Sequence, residues 1–205
     1  METDREDIQL LTPNIERDAP FALDWFSRSE GRQTLLSMGN AENEIVAPTL
    51  DGEKATIQEF LDLEKDNKQI TRMIIVDDIT IGAVWIELFE NHGVKAPSVH
   101  IIIGNPEYRG RGIGTSAMKA AIKYATEVLG AVVVYSRHLS TNTNIAVVNR
   151  KLGFKADGNI YADENGLVWQ NVRLLMKLTV QDREAEPRKK PKPFQGSRLF
   201  SMFHR

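Results

Sequence analysis

The sequence contains no cysteine among its 205 residues. Disulfide bonds, cysteine-ligated metal sites and covalent acyl-cysteine intermediates are therefore excluded for these residues. Histidine is also scarce, with four copies whose spacing matches no metal-binding pattern. We therefore expect no metal cofactor.

The sequence also lacks an excess of charge of one sign, and it has no long apolar run. The 26 Lys and Arg against 28 Asp and Glu leave a formal net charge of −2, which gives no bulk attraction to nucleic acid or membranes. No apolar stretch approaches the ~20 residues of a membrane helix, and the first residues, METDREDIQL, are acidic and unlike a signal peptide. We expect neither a nucleic-acid nor a membrane partner, and a cytoplasmic location.

The chain is long enough for one domain with a sizeable core, and 41% of its residues are hydrophobic. Alternating strand-like and helix-like segments predict an α/β domain over residues 1–181. The following segment, DREAEPRKKPKP, has prolines, mixed charge and no large apolar side chain. Residues 182–205 are therefore predicted to be a polar basic linker with a short amphipathic C-terminal tail.

The first half of the chain predicts a short strand at residues 8–11 and a helix capped by Asp18. Residues 37–54 are typical of a loop, and a second helix is expected over residues 56–65. Two strands then form a hairpin that turns near Asp77 and Asp78.

The second half of the chain alternates again between the two kinds of element. The predicted elements are a strand SVHIIIG, a long helix to about Leu129, a strand AVVVYSRH, a short helix stopped at Gly153 and a closing hairpin that turns at ADENG, with strands over about 154–162 and 167–179.

The segment NPEYRGRGIGTS places Gly110, Gly112 and Gly114 directly before the long helix. A helix N-terminus presents unpaired N–H groups and a partial positive charge, and glycines let a ligand approach the backbone closely. Arg109 and Arg111 add charge that could neutralise a pyrophosphate. The pattern therefore predicts a cradle for a phosphate-bearing cofactor, with a tight solvated turn as the alternative.

Two common phosphate-binding patterns do not fit this segment. The dinucleotide pattern requires a glycine where Thr115 stands, and it requires an acidic residue where the next strand ends in Arg137 and His138. The P-loop pattern requires Gly-Lys-Ser or Gly-Lys-Thr, which the chain lacks.

The spacing Arg109-x-x-Gly112-x-Gly114 resembles the pyrophosphate loop of the GNAT superfamily of acyl-CoA-dependent N-acetyltransferases. The segment NTNIAVVNRKLGF is similar to that family's asparagine-containing helix ending in Leu-Gly-Phe. With the strand order, the resemblance covers residues 8–179, and the closing hairpin resembles the ribosomal-protein-acetylase branch. It implies a GNAT fold: a mixed, mostly antiparallel twisted sheet flanked by helices, with two strands splayed apart at the acetyl-CoA site.

The resemblance also implies acetyl-CoA as co-substrate and an amine-bearing acceptor, either a small molecule or a protein N-terminus. The amine would attack directly in a ternary complex, and a homodimer is left open. The implied cofactor-binding residues are Ile102, Ile103, Gly104, Arg109, Gly110, Arg111, Gly112, Ile113, Gly114, Thr115 and Asn142. Asn142 has an alternative role as a helix cap.

The catalytic candidates are Glu87, His100 and Asn149. Many relatives carry a carboxylate in the SVHIIIG strand, and here none is present. Glu87 on the preceding strand and His100 are the candidate bases, with a solvated glutamate and a structural histidine as the alternatives. Asn149 stands where many relatives have a tyrosine that protonates the departing thiolate, and an asparagine can hydrogen-bond sulfur without acting as an acid.

The attacking amine must be neutral. At pH 7 deprotonation costs about 4–5 kcal/mol for a lysine side chain with a pKa of ~10.4, and about 1 kcal/mol for an α-amine near ~8. The absence of a strand carboxylate therefore favours an acceptor of lower pKa. It also leaves open an alternative function, a catalytically weak CoA-binding regulatory or adaptor protein on the same fold.

Overall fold

The computed structural model describes residues 1–176. The predicted domain end at residue 181 and the predicted tail, residues 182–205, lie outside the described residues. The described part forms five α-helices and eight strands, in the order β1 (Gln9–Leu11), α1 (Ile15–Ser27), α2 (Gly31–Met38), α3 (Leu50–Lys65), β2 (Gln69–Val76), β3 (Ile79–Glu87), β4 (Ser98–Ile103), α4 (Ile113–Glu127), β5 (Val133–Leu139), α5 (Thr143–Lys151), β6 (Lys155–Ala156), β7 (Tyr161–Ala162) and β8 (Val168–Leu175).

All eight strands join one sheet in the order β1-β2-β3-β4-β5-β8-β6, and β7 pairs with β8. Only β4 and β5 pair in parallel; the other pairs among the described residues are antiparallel. The predicted α/β class with a mixed, mostly antiparallel sheet is therefore confirmed.

Helices cover both faces of this sheet, because side chains alternate along each strand. On β3, Val84 and Ile86 pack in the larger core, which includes the buried face of α4. Ala83 and Trp85 point the other way and pack with Trp25 of α1. The strand β3 is therefore apolar on both faces over this stretch.

The β2–β3 hairpin turns where the sequence predicts. Val76 pairs with Ile79, and the two residues between them, Asp77 and Asp78, have φ angles of 50° and 62°. Positive φ at both central positions is typical of the two-residue turns that match the twist of a hairpin, and aspartate tolerates this region better than most residues.

The prediction that Asp18 caps the first helix is wrong. The helix begins at Ile15, and Asn14 caps it by accepting a hydrogen bond from the backbone N–H of Arg17 at 2.9 Å. Asp18 is fully buried inside the helix, where it accepts from the N–H of Asn14 at 2.7 Å and from the hydroxyl of Thr80 at 2.8 Å. Arg17 also donates to the Asp18 carboxylate at 2.7 Å, and Thr80, 62 residues away on β3, ties it to the sheet.

The predicted loop over residues 37–54 is also too long. The helix α2 reaches Met38, and α3 begins at Leu50, where the hydroxyl of Thr49 accepts from the backbone N–H of Gly52 at 3.1 Å. Gly52 lies in the first turn of α3, and a glycine there weakens the sequence signal for a helix without preventing one.

The closing hairpin differs in detail. The single strand expected over residues 154–162 is two short strands, β6 and β7, separated at Gly158, which has a φ of 85°. The turn at ADENG is confirmed, because Asp163 accepts from the backbone N–H groups of Asn165 and Leu167.

Within residues 1–176 no helix combines the length and apolarity needed to cross a membrane. The same residues hold no cluster of three or more His, Asp or Glu side chains that could bind a metal ion.

Candidate active site

The two parallel strands separate almost as soon as they meet. Ser98 of β4 pairs with Tyr135 of β5, and the N–H of Tyr135 donates to the carbonyl of Pro97 at 2.9 Å. Among the described residues no further pair follows toward the carboxyl ends of the strands. The expected splay is therefore present, and it leaves backbone groups of both strands available to a ligand.

The glycine loop lies at the start of α4, beside this opening. Gly110 and Gly112 have φ angles of 73° and 79°, a region that favours glycine, and no atom lies within 4 Å of a Cβ built on Gly110. The helix begins at Ile113 with no side-chain cap. Its first N–H groups are therefore open to a ligand, and the loop fits a phosphate group.

Arg109 is exposed, but its guanidinium is engaged by three acceptors of the protein. Its Nε donates to the carbonyl of Ile103 at 2.9 Å, and Nη2 donates to the carbonyl of Gly104 at 3.2 Å and to the hydroxyl of Thr34 at 3.0 Å. Burial lowers the pKa of this guanidinium. Arg109 therefore ties the end of β4 to α2, and its contact with a pyrophosphate stays a prediction.

Arg111 is exposed, with its guanidinium 5.2 Å from the centre of the Tyr108 ring. Its side chain makes no ion pair within residues 1–176, so its charge is available at the loop surface. Of the two arginines in the motif, Arg111 is thus the one placed to meet an anion.

Two residues before β1 hold the start of α4, and sequence reasoning missed both. Arg5 donates to the carbonyl of Arg111 at 2.7 Å, and its Nη1 lies 3.7 Å from a Cβ built on Gly112. Asp4 accepts a hydrogen bond from the hydroxyl of Ser116. These contacts join residues more than 100 positions apart, so no local pattern could reveal them.

The remaining predicted cofactor residues line the end of β4 and the first turn of α4. Gly104 lies against Trp25, since a Cβ on Gly104 would be 2.2 Å from the indole ring. Ile113 is buried in the core, and a Cβ on Gly114 would be 3.4 Å from Ile101. Ile102 packs with Trp25, Ile103 packs toward α4 and Thr115 is half-buried. Their contacts with a cofactor stay predictions.

Asn142 caps α5, which confirms the alternative role. Its Oδ1 accepts from the N–H of Ile145 at 3.2 Å, and its Nδ2 donates to the carbonyl of Ser37 at 2.9 Å. Both ends of the amide are therefore engaged, and the side chain ties α5 to α2. A contact with the pantetheine arm stays a prediction.

The two candidate bases, Glu87 and His100, meet on the α1 side of the sheet. Nε2 of His100 lies 2.9 Å from the hydroxyl of Ser98 and 3.6 Å from Oε2 of Glu87. The imidazole stacks on Trp85, with ring centres 5.5 Å apart and planes inclined by 22°. Only 15% of the Glu87 side chain and 13% of the His100 side chain are exposed, so the pair is held in one orientation.

Charge decides what each member of this pair can do. Burial alone would raise the pKa of Glu87, but His100 and Arg137 outweigh it and bring the pKa to about 2. Glu87 is thus ionised at neutral pH and is a weak base. It can stabilise a protonated imidazole, while Nδ1 of His100 makes no hydrogen bond within residues 1–176 and is free to accept a proton.

Asn149 lies on the opposite face of the sheet, next to His138 of β5. Its Nδ2 is 3.3 Å from Nδ1 of His138, and its Oδ1 is buried without a partner among the described residues. Burial lowers the pKa of His138, so the imidazole is neutral at pH 7. An unpaired buried acceptor is uncommon, and it marks this spot as a place where a ligand or water donates.

A mixed sheet whose one parallel pair opens beside an uncapped helix and a glycine loop is the architecture expected of acyl-CoA-dependent N-acetyltransferases. The acetyltransferase (GNAT) domain model matches residues 9–155 of this sequence. The chain belongs to this family.

A curated relative supports the same assignment over a shorter stretch. Spermidine N(1)-acetyltransferase of Escherichia coli (strain K12) is 34% identical over 93 residues, which are 45% of this chain and 50% of that protein. The chain therefore spans about half the length of the curated relatives it matches.

Solved structures agree on the fold. The microcin C7 self-immunity acetyltransferase MccE, in complex with acetyl-CoA and AMP, has a TM-score of 0.70 and 14% identity, covering 84% of this chain and 94% of that one. The ribosomal L7/L12 alpha-N-protein acetyltransferase RimL, in complex with coenzyme A, has a TM-score of 0.69 and 11% identity, covering 84% and 96%. At these identities the likeness concerns the fold alone.

Proposed function

We propose that this protein is an N-acetyltransferase that moves the acetyl group of acetyl-CoA to a primary amine by direct attack in a ternary complex. The observation that carries the proposal is the position of His100, beside the opening between β4 and β5 and paired with Glu87 at 3.6 Å. A base at this point serves acyl transfer, whereas binding of CoA alone does not require one.

Acetyl-CoA supplies an activated thioester, whose C–S bond breaks as the C–N bond forms. The glycine loop and the open N–H groups of α4 hold its pyrophosphate, with Arg111 as the nearby free cation. The backbone of Ile102, Ile103 and Gly104 at the splay orients the pantetheine and polarises the carbonyl.

His100 takes the proton of the attacking amine through Nδ1, and Glu87 stabilises the imidazolium that results. At the other side of the opening, Nδ2 of Asn149 has a second N–H beside the one that faces His138, and it donates that N–H to the sulfur of the cofactor. An asparagine cannot supply a proton, so solvent protonates the thiolate, whose conjugate acid has a pKa near ~8.5.

The test measures release of coenzyme A over a panel of amines that includes peptide α-amines, lysine side chains and spermidine, the last because the Escherichia coli relative is named for it. We expect turnover with at least one class, and a fall of about 10²–10⁴-fold in kcat for His100→Gln with unchanged affinity for acetyl-CoA. Ser140→Ala, an exposed change on the loop after β5, is the control.

Two results would contradict the proposal. Tight binding of acetyl-CoA without turnover of any amine would favour the regulatory or adaptor protein, for which Asn149 in place of a tyrosine is the supporting observation. Full activity of His100→Gln would remove the histidine from the mechanism.

A further inference from the structure

Arg137 lies directly across the opening from His100. Since Ser98 pairs with Tyr135, the residues two positions further on, His100 and Arg137, point to the same face of the sheet. Paired strands are ~4.8 Å apart, and these have separated. The two side chains therefore flank the place where an acceptor must enter.

An aromatic platform holds the guanidinium of Arg137. Its central carbon lies 4.2 Å from the centre of the Trp169 ring. The indole N–H of Trp169 donates to Asp163 at 2.8 Å, and the ring is pressed so closely on Gly39 that a Cβ there would be 2.2 Å away. The platform is thus anchored on both sides, and the guanidinium carbon lies over a fixed ring.

The donors of Arg137 are unused. Within residues 1–176 the side chain makes no hydrogen bond and no ion pair, although it is half-buried. Glu87 and Asp163 both lie near enough to feel its charge, but neither carboxylate forms an ion pair with it. A guanidinium stacked on one face keeps its N–H groups free at the edge, where two of them match the oxygens of a carboxylate.

We infer that Arg137 determines the acceptor class by binding a carboxylate carried by the same molecule as the attacking amine. This inference rests on the proposed function, because the carboxylate of an acceptor can reach Arg137 in this way only if the amine of the same molecule lies at His100. A polyamine would instead present a second positive charge to the guanidinium, so it should be the poorest acceptor.

The test compares ω-amino acids of four to six carbons, each with the n-alkylamine of the same carbon number. Both members of a pair have an unhindered primary amine, so the ratio of their kcat/KM values isolates the carboxylate. We expect the wild type to prefer the amino acid by about tenfold or more for at least one length, as a charged hydrogen-bonded pair would give.

The ratio of the two kcat/KM values, measured in variants of Arg137, distinguishes loss of the carboxylate contact from a general effect on the fold. Arg137→Gln should bring it close to one, Arg137→Lys should keep part of the preference, and Arg150→Gln, an exposed change on α5, should leave it as in the wild type. Equal affinity for acetyl-CoA in all four proteins shows that the fold is intact. A wild-type preference for alkylamines or spermidine, or a preference that survives in Arg137→Gln, would overturn the inference.

A protein without turnover would refute the proposed function, and the role of Arg137 would then be tested by binding alone. The measurement is calorimetry of 6-aminohexanoate with the CoA-loaded protein. Binding that is lost in Arg137→Gln and kept in Arg150→Gln supports the carboxylate site, and absent or unchanged binding rejects it.

Discussion

Nδ2 of Asn149 lies 3.3 Å from Nδ1 of His138, while Oδ1 of the same amide has no partner among residues 1–176 and the residue is only 2% exposed. An unpaired buried acceptor costs about 1–3 kcal/mol, more than the ~1 kcal/mol that one hydrogen bond returns. Such a cost is typical of functional sites, where stability is given up for activity.

We therefore expect Asn149→Leu to stabilise the fold by about 1 kcal/mol, a rise of roughly 2–4 °C in Tm for a domain of this size. Turnover should fall at the same time, because the leucine cannot hydrogen-bond the sulfur. Differential scanning calorimetry and kcat measure the two effects. A less stable variant, or one with full activity, would contradict this account of Asn149.

Gly112→Asp should abolish binding of acetyl-CoA, because its carboxylate would face the phosphates with like charge. The matched control is Gly130→Asp, which has a similar φ of 71° against 79° and no atom within 4 Å of its Cβ. Both changes cost similar backbone strain, but Gly130 lies at the far end of α4, ~22 Å away. Isothermal titration calorimetry should show lost binding for the first alone; equal affinities would refute the phosphate loop.

The two arginines of the loop should behave differently. Arg109→Gln removes donors to two carbonyls and a hydroxyl, so the free energy of unfolding should fall by about 2 kcal/mol or more. Arg111→Gln is an exposed change and should alter stability by less than ~0.5 kcal/mol while weakening acetyl-CoA binding. Urea unfolding and titration with acetyl-CoA measure both effects in each variant. A large loss of stability in Arg111→Gln with weakened binding in Arg109→Gln alone would contradict the assignment.

The Glu87 carboxylate should make stability depend on pH in the acid range. Its pKa is about 2 in the folded protein against a usual 4.5. The contribution of the ionised carboxylate to the free energy of unfolding is therefore fully present above pH 4.5. That contribution, on the order of 3 kcal/mol, is lost as the pH falls toward 2.

Urea unfolding of the wild type and Glu87→Gln from pH 7 to pH 3 measures this effect. The stability advantage of the wild type should shrink toward low pH. Glu59→Gln is a control of opposite sign, since burial raises the pKa of Glu59 and its ionised form is the unfavourable one. If the difference in stability between the wild type and Glu87→Gln does not change with pH, the charged neighbours do not stabilise the Glu87 carboxylate.

Much of the fold could be predicted because its signals lie within a few residues of each other. Gly110 and Gly112 of the loop stand at positive φ, Asp77 and Asp78 form the hairpin turn, and Asn142 caps the helix that follows it. Turn, cap and amphipathic helix patterns are local properties of the chain, so they can be recognised without knowledge of distant residues.

The sequence by itself therefore determined the order of the elements along the chain, the glycine loop before α4 and the family. Tertiary structure alone decided the direction of Arg109, the meeting of Glu87 with His100, and the stacking of Arg137 on Trp169. The physical reason is the same in each case. The orientation and charge state of a polar side chain depend on partners brought close by packing, and those partners lie on other elements of the fold.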